Sequence, residues 1–274
     1  MNIIKICGGL GNQLFQYGLY EKYMSIGKEV YVFMDKDYYS NVYQLPLLSL
    51  QPAKYPKTDE LQEYLASTNF FTRIKRKFNK KFFYREPENG KFNSTIFSID
   101  NKFISGYFQS EKYFEDIGDV IRKKVRFQGS EGKEITEIVN KLGSENSVAV
   151  HVRLTDYLLI DDFNKICGLQ YYYAAFEYIY KNIKKPVFYL FSDDLPLARK
   201  ILKKFEYKSI NLSRPNYLDM YLMSKCRHSI IANSSFSWWG AWLKSNNDKI
   251  IIAPQRWSWS RDFPDICPKD WIRI

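Results

Sequence analysis

Ser147-Val148-Ala149-Val150-His151-Val152-Arg153-Leu154-Thr155-Asp156-Tyr157 is the stretch that decides the fold. Its first four residues form a short apolar run with two valines, the pattern of a strand buried on both faces of a parallel sheet. Such a strand delivers the residues that follow it to the sheet's carboxyl edge, where open α/β folds bind their ligands. One of the chain's two histidines arrives there, followed by an arginine and an acid. Alternation along an extended strand end sets His151 and Arg153 on one side. A guanidinium held there grips a phosphate through two parallel hydrogen bonds. The plainer alternative is a strand end closed by an ordinary surface ion pair.

Downstream, apolar runs and helical patterns alternate. A helix over 171–183 leads to a strand over 187–191, and a helix over 196–205 to a short strand at Ser209-Ile210. A helix over 217–225, a strand over 229–232, a helix over 235–244 and a strand over 250–253 complete the series. Repeated βα alternation predicts a parallel, doubly wound sheet. Upstream, Ile3–Ile6 reads as a strand and Val30–Met34 as a second. Between them lie the turn Gly8-Gly9-Leu10-Gly11-Asn12-Gln13 and a helical pattern towards Met24, which makes one βαβ unit. Phe103 to Gln109 reads as a further strand with its exit turn, and Tyr113 to Val125 as a helix. The expected organisation is therefore an N-terminal α/β domain over 1–128, a linker region over 129–146 and a C-terminal α/β domain over 147–274.

Of the 274 residues, 41 are Lys or Arg and 30 Asp or Glu, a net charge of +11. Seven of those cations, with no acid among them, lie between Arg73 and Arg85, so the excess is local. With Phe70, Ile74, Phe78 and Phe82 at helical spacing, the segment reads as a basic amphipathic helix. It either lies on an anionic membrane or packs on the domain with its charges in water. Four widely spaced cysteines without a CxxC pair suit neither a metal site nor a disulfide framework. No signal peptide or membrane-length apolar run is apparent, so a cytoplasmic protein is expected. Aromatics make up 18% of the chain, which suits stacking on sugars or bases as well as filling a core.

Three strand ends converge on one site. After the hub, Ser192-Asp193-Asp194 places two carboxylates where they accept from a ribose or base, or cap the next helix. Asn233-Ser234-Ser235-Phe236 opens a helix, whose free N–H groups and dipole suit a phosphate. In the N-terminal half, the glycine-rich turn with Gly9, Gly11, Asn12 and Gln13 presents backbone N–H groups to an anion or sugar, though its spacing matches neither a dinucleotide fingerprint nor a P-loop. A diphosphate between Arg153 and a helix N-terminus requires no metal to leave. A rival reading, from charge and aromatics alone, is a non-catalytic nucleic-acid-binding protein, but no nucleic-acid motif accompanies it.

Gly8 to Tyr17 (GGLGNQLFQY), His151 to Tyr157, Phe191 to Asp194 (FSDD) and Asn233 to Leu243 (NSSFSWWGAWL) resemble, in order, the signatures of the bacterial α-1,2-fucosyltransferases of glycosyltransferase family 11. The resemblance implies a GT-B fold, two Rossmann-like domains facing across a cleft. It implies inverting, metal-independent transfer of L-fucose from GDP-β-L-fucose to the 2-hydroxyl of a terminal galactose in a surface glycan, with no resident cofactor. A glycosyltransferase using another nucleotide sugar or linkage is the alternative. By the same resemblance Arg153 contacts the β-phosphate with His151 in support, and Asp193 lies near the guanine. Ser234, Ser235 and Phe236 lie at the diphosphate, and Asn12 and the Gly8–Gly11 turn near the fucose and the cleft. The family's second arginine is Leu154 here. Asp156 is the motif acid, and the general base is open between it, Asp161 and Asp162.

Overall fold

The computed structural model describes residues 1–34, 43–66, 81–88, 90–155, 159–164, 166–210 and 212–274. Most of the expected basic helix, Asp156 and Tyr157 lie outside them. The chain divides into two compact units, Met1–Arg126 and Phe127–Ile274.

The first unit is built on β1 (Asn2–Ile6), α1 (Leu10–Ser25) and β2 (Val30–Met34), with β1 and β2 parallel as the pattern predicts. A helix α2 (Thr58–Ala66), β3 (Phe83–Arg85), β4 (Phe103–Ser105) and α3 (Gly118–Lys124) complete it. The four strands form a parallel sheet in the order β2-β1-β4-β3. α1 is buried almost all round, from Leu10 to Tyr23, which explains why it carries no polar stripe.

Two expectations change here. Phe82, assigned to the basic helix, instead accepts the Phe103 N–H through its carbonyl at 2.7 Å and leads into β3. The helix expected from Tyr113 to Val125 begins only at Gly118, after two short 3-10 turns. The cause is Phe114: its ring is fully buried, 6.2 Å from Phe15, and that burial sets its backbone at φ −155°, ψ 13°, outside the helical region.

The second unit contains α4 (Lys133–Ser144), β5 (Asn146–Val152), α5 (Leu169–Asn182), β6 (Pro186–Ser192), α6 (Leu195–Ile201) and β7 (Lys208–Ser209). α7 (Tyr217–Lys225), β8 (His228–Ile230), α8 (Ser235–Trp242), β9 (Ile251–Ala253) and β10 (Ile272–Arg273) follow. The expected linker over 129–146 is thus mostly helix α4. Its apolar stripe buries Ile135 and Leu142, so it belongs to the second unit's core.

The six strands pair in parallel in the order β10-β9-β8-β5-β6-β7. Counting from β5, that is the dinucleotide-fold order 3-2-1-4-5-6, and the winding reverses between β5 and β8. Phe176 of α5 is sandwiched between Phe188 at 4.2 Å and Phe205 at 4.1 Å, locking the helix onto the sheet. Gly240 lets α8 close on α7, since a Cβ there would stand 2.8 Å from Met223 Cε. The buried Lys244 ammonium then donates to the Met223 and Cys226 carbonyls at the end of α7.

Candidate active site

β5 and β6 end level, with His151 opposite Phe191 and Val152 opposite Ser192. That register brings Asp193 against the hub. Its carboxylate accepts from the Leu154 N–H at 2.9 Å, the Thr155 N–H at 3.1 Å and the Thr155 hydroxyl, while Arg153 Nε lies 3.3 Å away. Asp193 thus shapes the loop that carries Arg153. Burial alone would raise its pKa, but the Thr155 and Leu154 bonds and the Arg153 charge together hold it below the usual value. Asp194 takes the capping role, accepting from Leu197 N at 3.0 Å, and Ser192 Oγ accepts from Asp194 N at 3.1 Å.

Across the switch point, β8 feeds α8. Ser234 is its N-cap residue and makes no side-chain capping bond, so the first-turn N–H groups are not closed off by that hydroxyl. Phe236 brings its ring to 5.9 Å from the His151 ring, so the β5 exit and the α8 N-terminus face one another. Ser235 and Phe236 are partly exposed, whereas Asn233 and Ser234 are buried. Asn233 donates to the Trp257 carbonyl at 3.2 Å and accepts from Cys167 Sγ at 3.5 Å, so its amide ties loops together.

Asp162, one of the acids left open as a base, is committed elsewhere. Its carboxylate accepts from Ser258 Oγ at 2.6 Å and Ser260 N at 2.6 Å, and its carbonyl from Trp259 N at 3.0 Å. The loop after β5 is thereby clasped to the loop after β9. Beside Arg153 lies a cavity of about 330 Å³, walled by Leu154, Phe163 and Tyr173 and rimmed by Lys200, Lys203 and Lys204. Leu154 is itself 5% exposed and packs in the core with Tyr172 and Phe176.

In the first unit the glycine-rich turn sits at the carboxyl end of β1. Gly8 has φ +76°, and a Cβ there would meet Asn12 Nδ2 at 2.6 Å, so only glycine fits. Gly9 is exposed at the N-cap of α1, and Gly11 is buried within that helix. Gln13, expected on substrate, is 2% exposed; it donates to Gly8 O at 2.8 Å and accepts from Gln44 N at 2.9 Å, so it clasps the turn. Asn12 is partly exposed and accepts from Gln109 Nε2 at 2.7 Å.

The sequence model described as Glycosyl transferase family 11 matches residues 3–274. The chain belongs to glycosyltransferase family 11. It is 31% identical over 296 residues to an alpha-1,2-colitosyltransferase of Escherichia coli, covering 99% of this chain and 98% of that protein. It is 26% identical over 307 residues to the Escherichia coli O-antigen biosynthesis glycosyltransferase WbnK, covering 98% and 99%. Among solved structures, fucosyltransferase NodZ from Bradyrhizobium is similar at 14% identity and a TM-score of 0.49, covering 89% of this chain and 93% of that one.

Membership makes this chain a glycosyltransferase and sets aside the nucleic-acid-binding alternative. The α/β expectation holds, in two units each wound on a parallel sheet. Among the described residues, no helix is long and apolar enough to cross a membrane, and no cluster of three His, Cys, Asp or Glu side chains is placed to hold a metal.

In this family-11 enzyme His151 is 4% exposed, and its Nδ1 is buried with no hydrogen-bond partner among the described residues. Burial first, then the Arg153 charge, push its pKa down to about 4 against the opposing pull of Asp193, so the ring is neutral at physiological pH. An unfolded imidazole titrates near 6.5. The stability contributed by burying it uncharged is complete above that pH and is lost as the pH falls towards 4, up to about 3 kcal/mol. Urea unfolding at pH 7.5 and pH 5 checks this: His151→Gln should show a shallower acid loss than wild type. His228, buried and accepting from Ile250 N at 3.0 Å, contributes equally to both proteins and cancels. Equal slopes in the two would refute the assignment.

Sequence reasoning missed the lysine rim at 200–204 and the positioning role of Asp193. The rim was visible as Arg199-Lys200 and Lys203-Lys204 in the last turns of a helix, where cations also simply balance a dipole.

Proposed function

We propose that this enzyme transfers an L-fucosyl-type residue from a GDP-sugar to the 2-hydroxyl of a terminal galactose, with inversion at the anomeric carbon and without a metal ion, during O-antigen synthesis. The observation that carries the reading is the juxtaposition, at the β5/β8 switch point, of Arg153 on its Asp193-braced loop with the N-terminus of α8. In the reaction the acceptor oxygen forms a bond to the anomeric carbon, and the bond to the β-phosphate oxygen breaks. GDP leaves with the electron pair, and the hydroxyl proton passes to a base. Charge that develops on the departing oxygen meets a guanidinium and a helix dipole, both fixed before the reaction begins.

Several features support the remaining assignments. The cavity beside Arg153 has apolar and aromatic walls for a nucleoside and a lysine rim for its phosphates, which offsets the cation absent at Leu154. His151 Nδ1, without a partner among the described residues, offers a hydrogen bond to a ligand oxygen reaching the strand end. Of the three acids open as the general base, Asp162 is engaged in clasping two loops together, which favours Asp156 or Asp161 for the proton.

The relative at 31% identity is named for colitose, which is L-fucose lacking its 3-hydroxyl, so both sugars are candidate donors. The test is a screen of GDP-fucose and GDP-colitose against lactose in EDTA, with linkage analysis of the product. A 2-linked product formed without metal is expected. Strict dependence on added Mn²⁺, or a linkage other than to O2, would overturn the corresponding part of the proposal.

A further inference from the structure

The exit of β4 is built with more constraint than a simple connection needs. Glu86 Oε2 accepts from the Tyr107 N–H at 2.7 Å and the Phe108 N–H at 2.9 Å. Phe108 is held at φ 54°, a left-handed conformation that a bulky side chain resists, with its ring fully buried. The reversal turns Tyr107 outward, 44% exposed, with its ring over Gly8. It also carries Gln109 to Asn12. Gln16, fully buried, accepts from Cys7 N at 2.9 Å and donates to Gly106 O at 2.9 Å, stitching this turn to the glycine-rich one. Both turns lie at the carboxyl edge of adjacent parallel strands.

We propose that this edge is a pyranose-binding platform for the acceptor, with Tyr107 as its floor and the Asn12–Gln109 amide pair as its hydrogen-bonding rim. The inference rests on the glycosyl-transfer reading and adds the residues that seat the acceptor. The C–H face of a galactose ring stacks on an exposed tyrosine, which brings apolar area at little entropic cost. The Gln109-to-Asn12 bond turns Asn12 Nδ2 and Gln109 Oε1 to other partners, a donor beside an acceptor, the complement of two neighbouring hydroxyls. Among the described residues, the charged group hydrogen-bonded to the β4 turn is the Glu86 carboxylate, so a neutral sugar suits this edge better than a diphosphate. Strain at Phe108, held by Glu86, keeps the floor in place before ligand arrives.

Kinetics of the full chain with lactose test this. Tyr107→Ala should raise the acceptor KM about tenfold while the donor KM stays within about twofold, and Tyr107→Phe, which keeps the ring, should stay near wild type. An unchanged acceptor KM, or an equal rise in both constants, overturns the proposal. Saturation-transfer NMR with lactose separates this from failure of the donor reading, because it needs no turnover. Signal lost in Tyr107→Ala supports the platform. A wild-type chain without signal, or a variant that keeps it, overturns the platform whichever donor is used.

Discussion

Arg153→Ala should lower kcat by about 10³-fold, or ~4 kcal/mol of transition-state stabilisation, with the fold retained. The size follows from what the proposed mechanism loses: a guanidinium meeting charge that develops only as the diphosphate departs, so the loss falls on kcat more than on KM. The fold survives because Asp193 keeps its bonds from Leu154 and Thr155 when the arginine goes. The lost ion pair, at 3.3 Å with both partners partly in water, contributes about 1 kcal/mol or less to stability. Arg153→Lys should recover only part of the rate, since an ammonium keeps the charge but not the planar fork. Single-turnover rates with GDP-fucose, beside thermal melts, are the measurement. A near-wild-type rate in Arg153→Ala would remove the arginine from the mechanism.

Trp238→Ala should have the largest effect on stability. Its indole is fully buried, stacked 5.9 Å from Trp242, 5.4 Å from Trp271, and donating to the Ile266 carbonyl at 2.6 Å. Emptying that site costs about 3–5 kcal/mol and should lower Tm on the order of 10 °C. The same ring seats α8, so the surviving folded protein should also bind donor more weakly as the helix N-terminus shifts from its place beside His151. Calorimetry and a donor titration follow the two consequences. A Tm within about 2 °C of wild type would show that the indole is not the anchor.

How much of this was legible in the sequence depended on what each residue faces. The strands β5 and β6 and the hub at their ends were legible because parallel strands covered on both faces appear as unbroken apolar runs. The same logic hid β3 and β10, too short for a pattern, and Phe82, whose aromatic spacing fits a helix and a strand alike. Phe114 broke a helix that its periodicity predicts, through a tertiary contact no local rule contains. Around the β5 and β8 exits, residue type singled out Arg153 and the serines of α8, but not the direction in which a carboxylate or amide points. Asp193, Asp162 and Gln13 all carry groups able to hold a ligand, and each spends them on backbone or loop instead. Tyr107 was one aromatic among many until its exposure set it apart.

The strand order also bears on how the protein is made. β5 pairs with β6 on one side and, on the other, with β8, where Val148 lies opposite His228. A nascent chain therefore emerges with β5, α5 and β6 long before the strand that flanks β5 on its far side. During that interval β5 presents an apolar, unpaired edge through Val148 and Val150. Arg153, which the proposed mechanism sets against the diphosphate, is synthesised early, but the helix proposed to share that task is not. Interruptions of translation between residues 152 and 228 would leave a fragment that lacks α8 and carries an open strand edge able to pair with another chain.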